Sequence, residues 1–114
     1  MTTAQRVIVA GAGPVGLLTA LALASQDIPV TVLESEPGLT HDLRAGTYHP
    51  PSLEIMAPYG VTDEMHRTAI KVPRWQMRDR NQGVIVEWDL SEIADLTPYP
   101  YRLHFEQQIG RAHV

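Results

Sequence analysis

The sequence contains no cysteine and only one lysine, Lys71, among its 114 residues. The missing thiols exclude disulfides, thiolate metal sites and cysteine nucleophiles, and they fit a reducing cytosol. The 9 basic side chains are outnumbered by 13 acidic ones, which gives a net charge of −4. Because a protein that tracks nucleic-acid phosphates needs an excess of Lys and Arg, we expect no nucleic-acid partner.

Long hydrophobic runs are also missing. The apolar run 7–10 is interrupted by Gly11, Gly13 and Pro14, and the next apolar segment is 15–24. That segment is about half as long as a helix that crosses a bilayer. Neither segment predicts a signal peptide or a membrane span. We therefore expect a soluble, cytoplasmic protein whose length suits one domain.

The first part of the chain predicts a βαβ unit over residues 5–34. A β-branched run at 6–10 is typical of a strand that is buried on both faces. The Leu- and Ala-rich segment 14–26 predicts a helix, and 30–34 is a second β-branched run. A strand, a helix and a strand within about thirty residues form a right-handed unit with parallel strands.

The remainder of the chain predicts helices and an antiparallel hairpin. A helix is expected over 50–59, where two prolines fit the first turn. A shorter helix is expected from Thr62, whose hydroxyl would cap it. Polar and apolar residues alternate over 74–89 on both sides of a polar turn, which is typical of a hairpin. Trp75 and Trp88 are expected to pack the hairpin on its neighbours.

A glycine-rich loop joins the first strand to the first helix. Its pattern, G-x-G-x-x-G, is that of a dinucleotide-binding loop, and it lies in the strand–loop–helix context that such a loop requires. Gly11 permits a tight turn, Gly13 lets the backbone approach a pyrophosphate, and Gly16 lets the helix pack closely on the strand. The N–H groups at the helix start would point at the phosphates. The residues of this loop that we expect to bind the ligand are Gly11, Ala12, Gly13, Pro14, Val15 and Gly16.

Glu34 ends the second strand, 18 residues after Gly16. A carboxylate at this place accepts hydrogen bonds from both hydroxyls of an adenosine ribose, and the adjacent Ser35 is a further candidate contact. Because the same charge repels a 2′-phosphate, the residues leave FAD and NAD(H) as ligands. A plain NAD domain would continue with further α/β crossovers. This chain continues with a loop, a helix and a hairpin, so the unit belongs to a larger mixed fold.

Five segments together resemble a known family: residues 7–17, 32–34, 44–46, 53–54 and 59–61. They are similar to the N-terminal part of FAD-dependent aromatic hydroxylases of the p-hydroxybenzoate hydroxylase type. The resemblance implies an α/β fold in which residues 1–108 are a partial FAD-binding domain. That domain is a Rossmann-like FAD-binding βαβ unit with an inserted helix and an antiparallel hairpin, and it is an incomplete part of a larger p-hydroxybenzoate hydroxylase-like fold.

The resemblance also implies two cofactor contacts and an activity. Arg44 and Gln107 are expected to contact the FAD, and a guanidinium suits phosphate oxygens. In the complete enzyme, NAD(P)H would reduce the FAD, and one atom of O2 would be transferred to an aromatic, phenolic substrate. The fragment alone is expected to be inactive, because a second flavin motif and much of the substrate pocket lie downstream in the family. No catalytic residue is assigned.

Two other functions stay open from the residues alone. One is an NAD(H)-binding dehydrogenase domain, and the other is a non-catalytic dinucleotide-binding module. No metal site is expected, because the five histidines lack the spacing of metal ligands.

The last six residues, 109–114, depart from the family where an apolar helix should follow. Their sequence, Ile-Gly-Arg-Ala-His-Val, is the translation of ATC GGA AGA GCA CAC GTC. Those bases begin a widely used sequencing adapter. We therefore expect 109–114 to be a non-native tail that cuts the natural reading frame.

Overall fold

The computed structural model describes residues 5–38 and 46–105. The chain divides into two compact units, residues 1–40 and 41–114. Three features expected from the sequence lie outside the described residues: Arg44, Gln107 and the tail 109–114.

The first unit is the expected βαβ unit. Strand β1 spans Val7–Ala10, helix α1 spans Pro14–Ala24, and strand β2 spans Val30–Leu33. The two strands pair in parallel, from Val7 opposite Val30 to Ala10 opposite Leu33. This register places the carboxyl ends of both strands side by side.

Helix α1 begins at Pro14, where the missing N–H of proline costs no hydrogen bond. The helix ends two residues before the expected boundary. Asp27 then takes a left-handed conformation, with φ of 58°, and the N–H of Ile28 donates to the carbonyl of Leu23 over 3.1 Å. These turns direct the chain back into β2.

The strands of this unit are less buried than the sequence predicts. Ile8 is 64% exposed and Leu33 is 55% exposed, so the expectation of a strand buried on both faces is wrong for β1. The reason is that the described part of this unit consists of a two-stranded sheet and one helix, which covers one face. A parallel sheet is normally covered on both faces.

Within residues 46–105, the second unit contains two α-helices and five strands. The elements are β3 at Thr47–Tyr48, α2 at Pro50–Met56, α3 at Val61–His66, β4 at Ile70–Val72, β5 at Arg74–Asp79, β6 at Gly83–Asp89 and β7 at Arg102–His104. Three strands form an antiparallel sheet in the order β3-β7-β4, and β5 and β6 form a separate hairpin. Two short 3₁₀ helices lie at Ala57–Tyr59 and Leu90–Ile93.

The core of the second unit joins α2, α3 and β7. Leu53 and Leu103 are fully buried, and Met65 packs against them. The sequence predicts that the Thr62 hydroxyl caps α3, and this prediction is wrong. The helix begins at Val61, and the buried Thr62 hydroxyl donates instead to the carbonyl of Leu53 over 2.6 Å. This bond satisfies the buried hydroxyl, and the Leu53 carbonyl accepts it in addition to the helical bond from the N–H of Ala57.

The hairpin has one apolar and one polar face, as the alternation predicts. Trp75 lies opposite Trp88, and the two ring centroids are 4.2 Å apart. Arg74 lies opposite Asp89 and binds it over 3.2 Å. Both tryptophans remain about 40% exposed, at 42% and 41%. No helix in residues 5–38 and 46–105 is long and apolar enough to cross a membrane.

Candidate functional site

The glycine-rich loop turns sharply between β1 and α1. Gly11 has φ of 104°, which side chains rarely allow. Its N–H donates to the carbonyl of Leu33 over 2.6 Å, which extends the strand pairing by one residue. A Cβ atom at Gly16 would lie 2.0 Å from the carbonyl oxygen of Gly11. Only glycine therefore fits at position 16 while the loop keeps this shape.

The outer surface of the loop is open. A Cβ atom at Gly11 or Gly13 would meet no other atom within 4 Å, so there is room for a ligand against the backbone. The first helical hydrogen bond runs from the N–H of Leu17 to the carbonyl of Gly13, over 2.9 Å. The N–H groups of Val15 and Gly16 consequently have no acceptor within the helix. Because the first turn also lacks acidic side chains, it suits an anion.

Glu34 lies next to this loop and is bound by two backbone N–H groups. Ala12 donates to Oε2 over 2.7 Å, and Glu36 donates to Oε1 over 2.9 Å. The Ser35 hydroxyl makes a longer contact of 3.4 Å with Oε1. These bonds, first that of Glu36 and then that of Ala12, hold the pKa of Glu34 below its ordinary value of 4.5. Glu34 is therefore a carboxylate at neutral pH.

An open cleft of about 360 Å³ lies at the carboxyl ends of β1 and β2. Ala10 and Leu33 line it in addition to residues expected from the motif. The glycine motif does not indicate these two residues, although each is the last residue of its strand, and ligands of such sheets bind at the carboxyl ends. The cleft is lined by Ala10, Gly11, Leu33, Glu34 and Ser35. Room beside the loop, open N–H groups and one carboxylate fit the adenosine and pyrophosphate part of a dinucleotide.

Arg44 and Gln107, the two other expected contacts, lie outside the described residues. Their described neighbours meet in the second unit. Thr47 of β3 pairs with His104 of β7, and the N–H of Phe105 donates to the carbonyl of Gly46 over 2.7 Å. Gly46 and Phe105 are therefore adjacent in the structure.

The described histidines are not gathered around a metal site. Within residues 5–38 and 46–105, no group of three or more His, Asp or Glu side chains is placed to hold a metal ion. His66 has a packing role: Nδ1 donates to the carbonyl of Thr62 over 2.7 Å, and Nε2 bonds the hydroxyl of Tyr101 over 2.6 Å. Because a carbonyl only accepts, the proton of the neutral ring is on Nδ1.

Comparison with known proteins gives a family match over most of the chain. A family model described as "FAD binding domain" matches residues 4–108. Para-nitrophenol 4-monooxygenase of Pseudomonas sp. strain WBC-3 is 39% identical over 114 residues, which are 100% of this chain and 27% of that protein. The 6-hydroxy-3-succinoylpyridine 3-monooxygenase HspB of Pseudomonas putida strain S16 is 38% identical over 107 residues, with 94% and 27% covered.

A solved structure shares the fold. The crystal structure of p-nitrophenol 4-monooxygenase PnpA from Pseudomonas putida DLL-E4 superposes with a TM-score of 0.83 and 39% identity. The match covers 95% of this chain and 27% of that one. The chain thus spans about a quarter of the length of the relatives that it matches.

Proposed function

Because the chain belongs to the FAD binding domain family, we propose that it is the FAD-binding part of a flavoprotein monooxygenase that hydroxylates an aromatic substrate with NAD(P)H and O2. Family membership confirms the resemblance to FAD-dependent aromatic hydroxylases that the sequence motifs indicate. The observation that carries the proposal is the open glycine-rich loop with the Glu34 carboxylate held beside it. The activity is that of a complete protein, since the chain spans 27% of its relatives.

The loop and Glu34 bind different parts of the ADP half of FAD. The start of α1 offers the N–H groups of Val15 and Gly16 to the pyrophosphate, and Gly13 leaves room for it. Glu34 accepts hydrogen bonds from the adenosine ribose hydroxyls. Its negative charge disfavours a ligand with a 2′-phosphate at this position. These roles bind and orient the ligand and need no reactive side chain.

Arg44 and Gln107 complete the proposed contacts with FAD. Support comes from the family motif and from the pairing of their described neighbours, Gly46 and Phe105. A guanidinium offers several N–H donors in a planar fork, which suits phosphate oxygens. When bound, FAD supplies the redox and oxygen-activating chemistry that amino-acid side chains lack.

The substrate class follows from the names of two relatives. One acts on para-nitrophenol and the other on 6-hydroxy-3-succinoylpyridine, and both names describe a ring that carries a hydroxyl group. We therefore infer that the substrate of this protein is a hydroxylated aromatic ring. We further infer a soluble, cytoplasmic enzyme, since NAD(P)H is a cytosolic reductant.

Turnover of the protein produced from its complete coding sequence tests the proposal. NADH and NADPH oxidation is measured with para-nitrophenol and a panel of other phenols, and the products are identified by mass spectrometry. We expect at least one phenol to stimulate the oxidation and to gain one oxygen atom. Oxidation of an alcohol by NAD without flavin would instead indicate a dehydrogenase, and ligand binding without any turnover would indicate a binding module.

Two arginine variants test the proposed contact of Arg44. Arg44→Ala is expected to lower the flavin content of the purified protein. Arg80→Ala makes the same change in the exposed turn of the hairpin and is expected to leave the flavin content unchanged. Equal flavin contents of the wild-type protein and Arg44→Ala would contradict the assignment.

A further inference from the structure

The Glu34 carboxylate is bonded to the backbone of the glycine-rich loop. Oε2 accepts from the N–H of Ala12, which is the residue between the first two glycines of the motif. Oε1 accepts from Glu36 and, over a longer distance, from Ser35. One carboxylate thus joins the loop after β1 to the turn after β2.

We propose that Glu34 is a positioning residue as well as a ribose ligand, because its carboxylate holds the glycine-rich loop in the shape that receives the pyrophosphate. This inference rests on the proposed function, since it concerns the same dinucleotide site. It assigns Glu34 a role that does not depend on the ribose hydroxyls.

The loop needs such a restraint because its own residues provide few. Glycine has the largest backbone freedom, and the motif places glycines at positions 11, 13 and 16. Backbone pairing with β2 ends at the bond from Gly11 to Leu33. The next donor along the chain is the N–H of Ala12, and Glu34 accepts it. The side chain therefore continues the attachment of the loop to β2 by one residue beyond the backbone pairing.

This bond also decides which N–H groups face the pyrophosphate. The N–H of Ala12 is engaged by Glu34 and is not available to a phosphate. Open donors remain at the helix start, among them the N–H groups of Val15 and Gly16. Ala12 therefore serves the site by shaping the loop, and the anion is bound by the helix start.

The carboxylate has capacity for both roles. A carboxylate has about four acceptor positions. Three are used, by Ala12, Glu36 and the long contact of Ser35. One ribose hydroxyl can take the open position on Oε2, and the second can replace the hydroxyl of Ser35. Binding of the ribose does not require release of Ala12.

The ligand test removes the ribose hydroxyls from the probe. Binding of ADP and of 2′,3′-dideoxy-ADP is measured by calorimetry on flavin-depleted protein from the complete coding sequence, for wild type and Glu34→Ala. If Glu34 also positions the loop, the variant binds dideoxy-ADP about three- to tenfold more weakly than wild type. Equal or tighter binding of dideoxy-ADP by Glu34→Ala would overturn the proposal. Glu34→Gln retains one acceptor oxygen, and we expect it to restore part of the affinity.

A second readout needs no ligand. Hydrogen exchange of the peptide that contains Ala12 is expected to be faster in ligand-free Glu34→Ala than in wild type. Asp79→Ala is the matched control, because Asp79 also accepts two backbone N–H groups, from Asn81 and Gln82, in the hairpin turn. That control should leave the exchange of the Ala12 peptide unchanged. Equal exchange in wild type and Glu34→Ala would overturn the positioning role even where FAD binding itself is established, and faster exchange would support it even if FAD binding failed.

Discussion

The Cβ atom that any side chain would add at Gly16 lies 2.0 Å from the carbonyl oxygen of Gly11. The contacted atom belongs to the backbone of a turn that is itself bonded to β2, through Gly11 and Leu33. A flexible side chain could move away, whereas this carbonyl cannot move without opening the turn. Helix α1 therefore packs closely on the glycine-rich loop at Gly16, and the loop is bonded to β2 at the same place.

Gly16→Ala is expected to destabilise the first unit and to weaken FAD binding. The added methyl group overpacks the contact with Gly11, which costs about 1 to 3 kcal/mol in proteins generally. The free energy of unfolding and the FAD dissociation constant measure the two effects. A Gly16→Ala variant that unfolds like the wild type would show that the close approach of α1 and the loop is not required.

Gly13→Ala is expected to weaken FAD binding and to leave the stability nearly unchanged. Its φ of −71° suits alanine, and the new Cβ atom would meet no protein atom within 4 Å. The methyl group would instead occupy space that the pyrophosphate needs, and we expect a loss of about tenfold or more in affinity, which is about 1.4 kcal/mol. Gly38→Ala is the control, because its Cβ atom also meets no atom within 4 Å and it lies outside the loop. Unchanged FAD affinity in Gly13→Ala would contradict the proposed pyrophosphate position.

The FAD affinity at acidic pH is expected to depend on the charge of Glu34. The pKa of Glu34 is lowered from 4.5, chiefly by the N–H of Glu36 and then by that of Ala12. Because the ligand-free protein already has this lowered pKa, the negative charge of Glu34 is fully present for FAD binding above that pKa, and its contribution to the affinity is lost as the pH falls through it. We therefore expect the difference in FAD affinity between wild type and Glu34→Gln to be constant above pH 4.5 and to shrink below it. A difference that changes at neutral pH would contradict the assignment.

Tyr101→Phe is expected to destabilise the second unit. The variant removes the hydroxyl that bonds Nε2 of His66 and leaves that half-buried nitrogen without this partner. The expected loss is about 1 kcal/mol in the free energy of unfolding. Tyr99→Phe is the control, because Tyr99 belongs to the same ring cluster and its hydroxyl makes no hydrogen bond of this kind with His66. Equal stabilities of the two variants would show that the bond to His66 contributes nothing measurable.

The sequence predicts the parts of the fold that depend on local pattern. The βαβ unit, the helix after Pro50 and the hairpin over 74–89 have a clear period or a motif of fixed spacing. The positive φ of Gly11 and the close approach at Gly16 also follow from the motif. These features are predictable because each depends on residues that are near one another in the chain.

The parts that the sequence does not predict depend on distant contacts. Strands β3, β4 and β7 have two or three residues each, which is too short for a period to be recognised. The Thr62 hydroxyl donates to the carbonyl of Leu53 because α3 packs on α2, and propensity alone favours a cap. Ala10 and Leu33 line the cleft because the strand register brings them together. Each of these requires knowledge of which elements meet.

Flavin analysis of the purified protein shows directly whether this protein binds FAD. The protein is produced from its complete coding sequence, its visible absorbance is recorded, and the released ligand is identified by chromatography and mass spectrometry. We expect FAD, bound at one molecule per chain in the wild type and at a lower occupancy in Gly13→Ala. A protein without flavin that binds NAD(H) at the Glu34 site would contradict it.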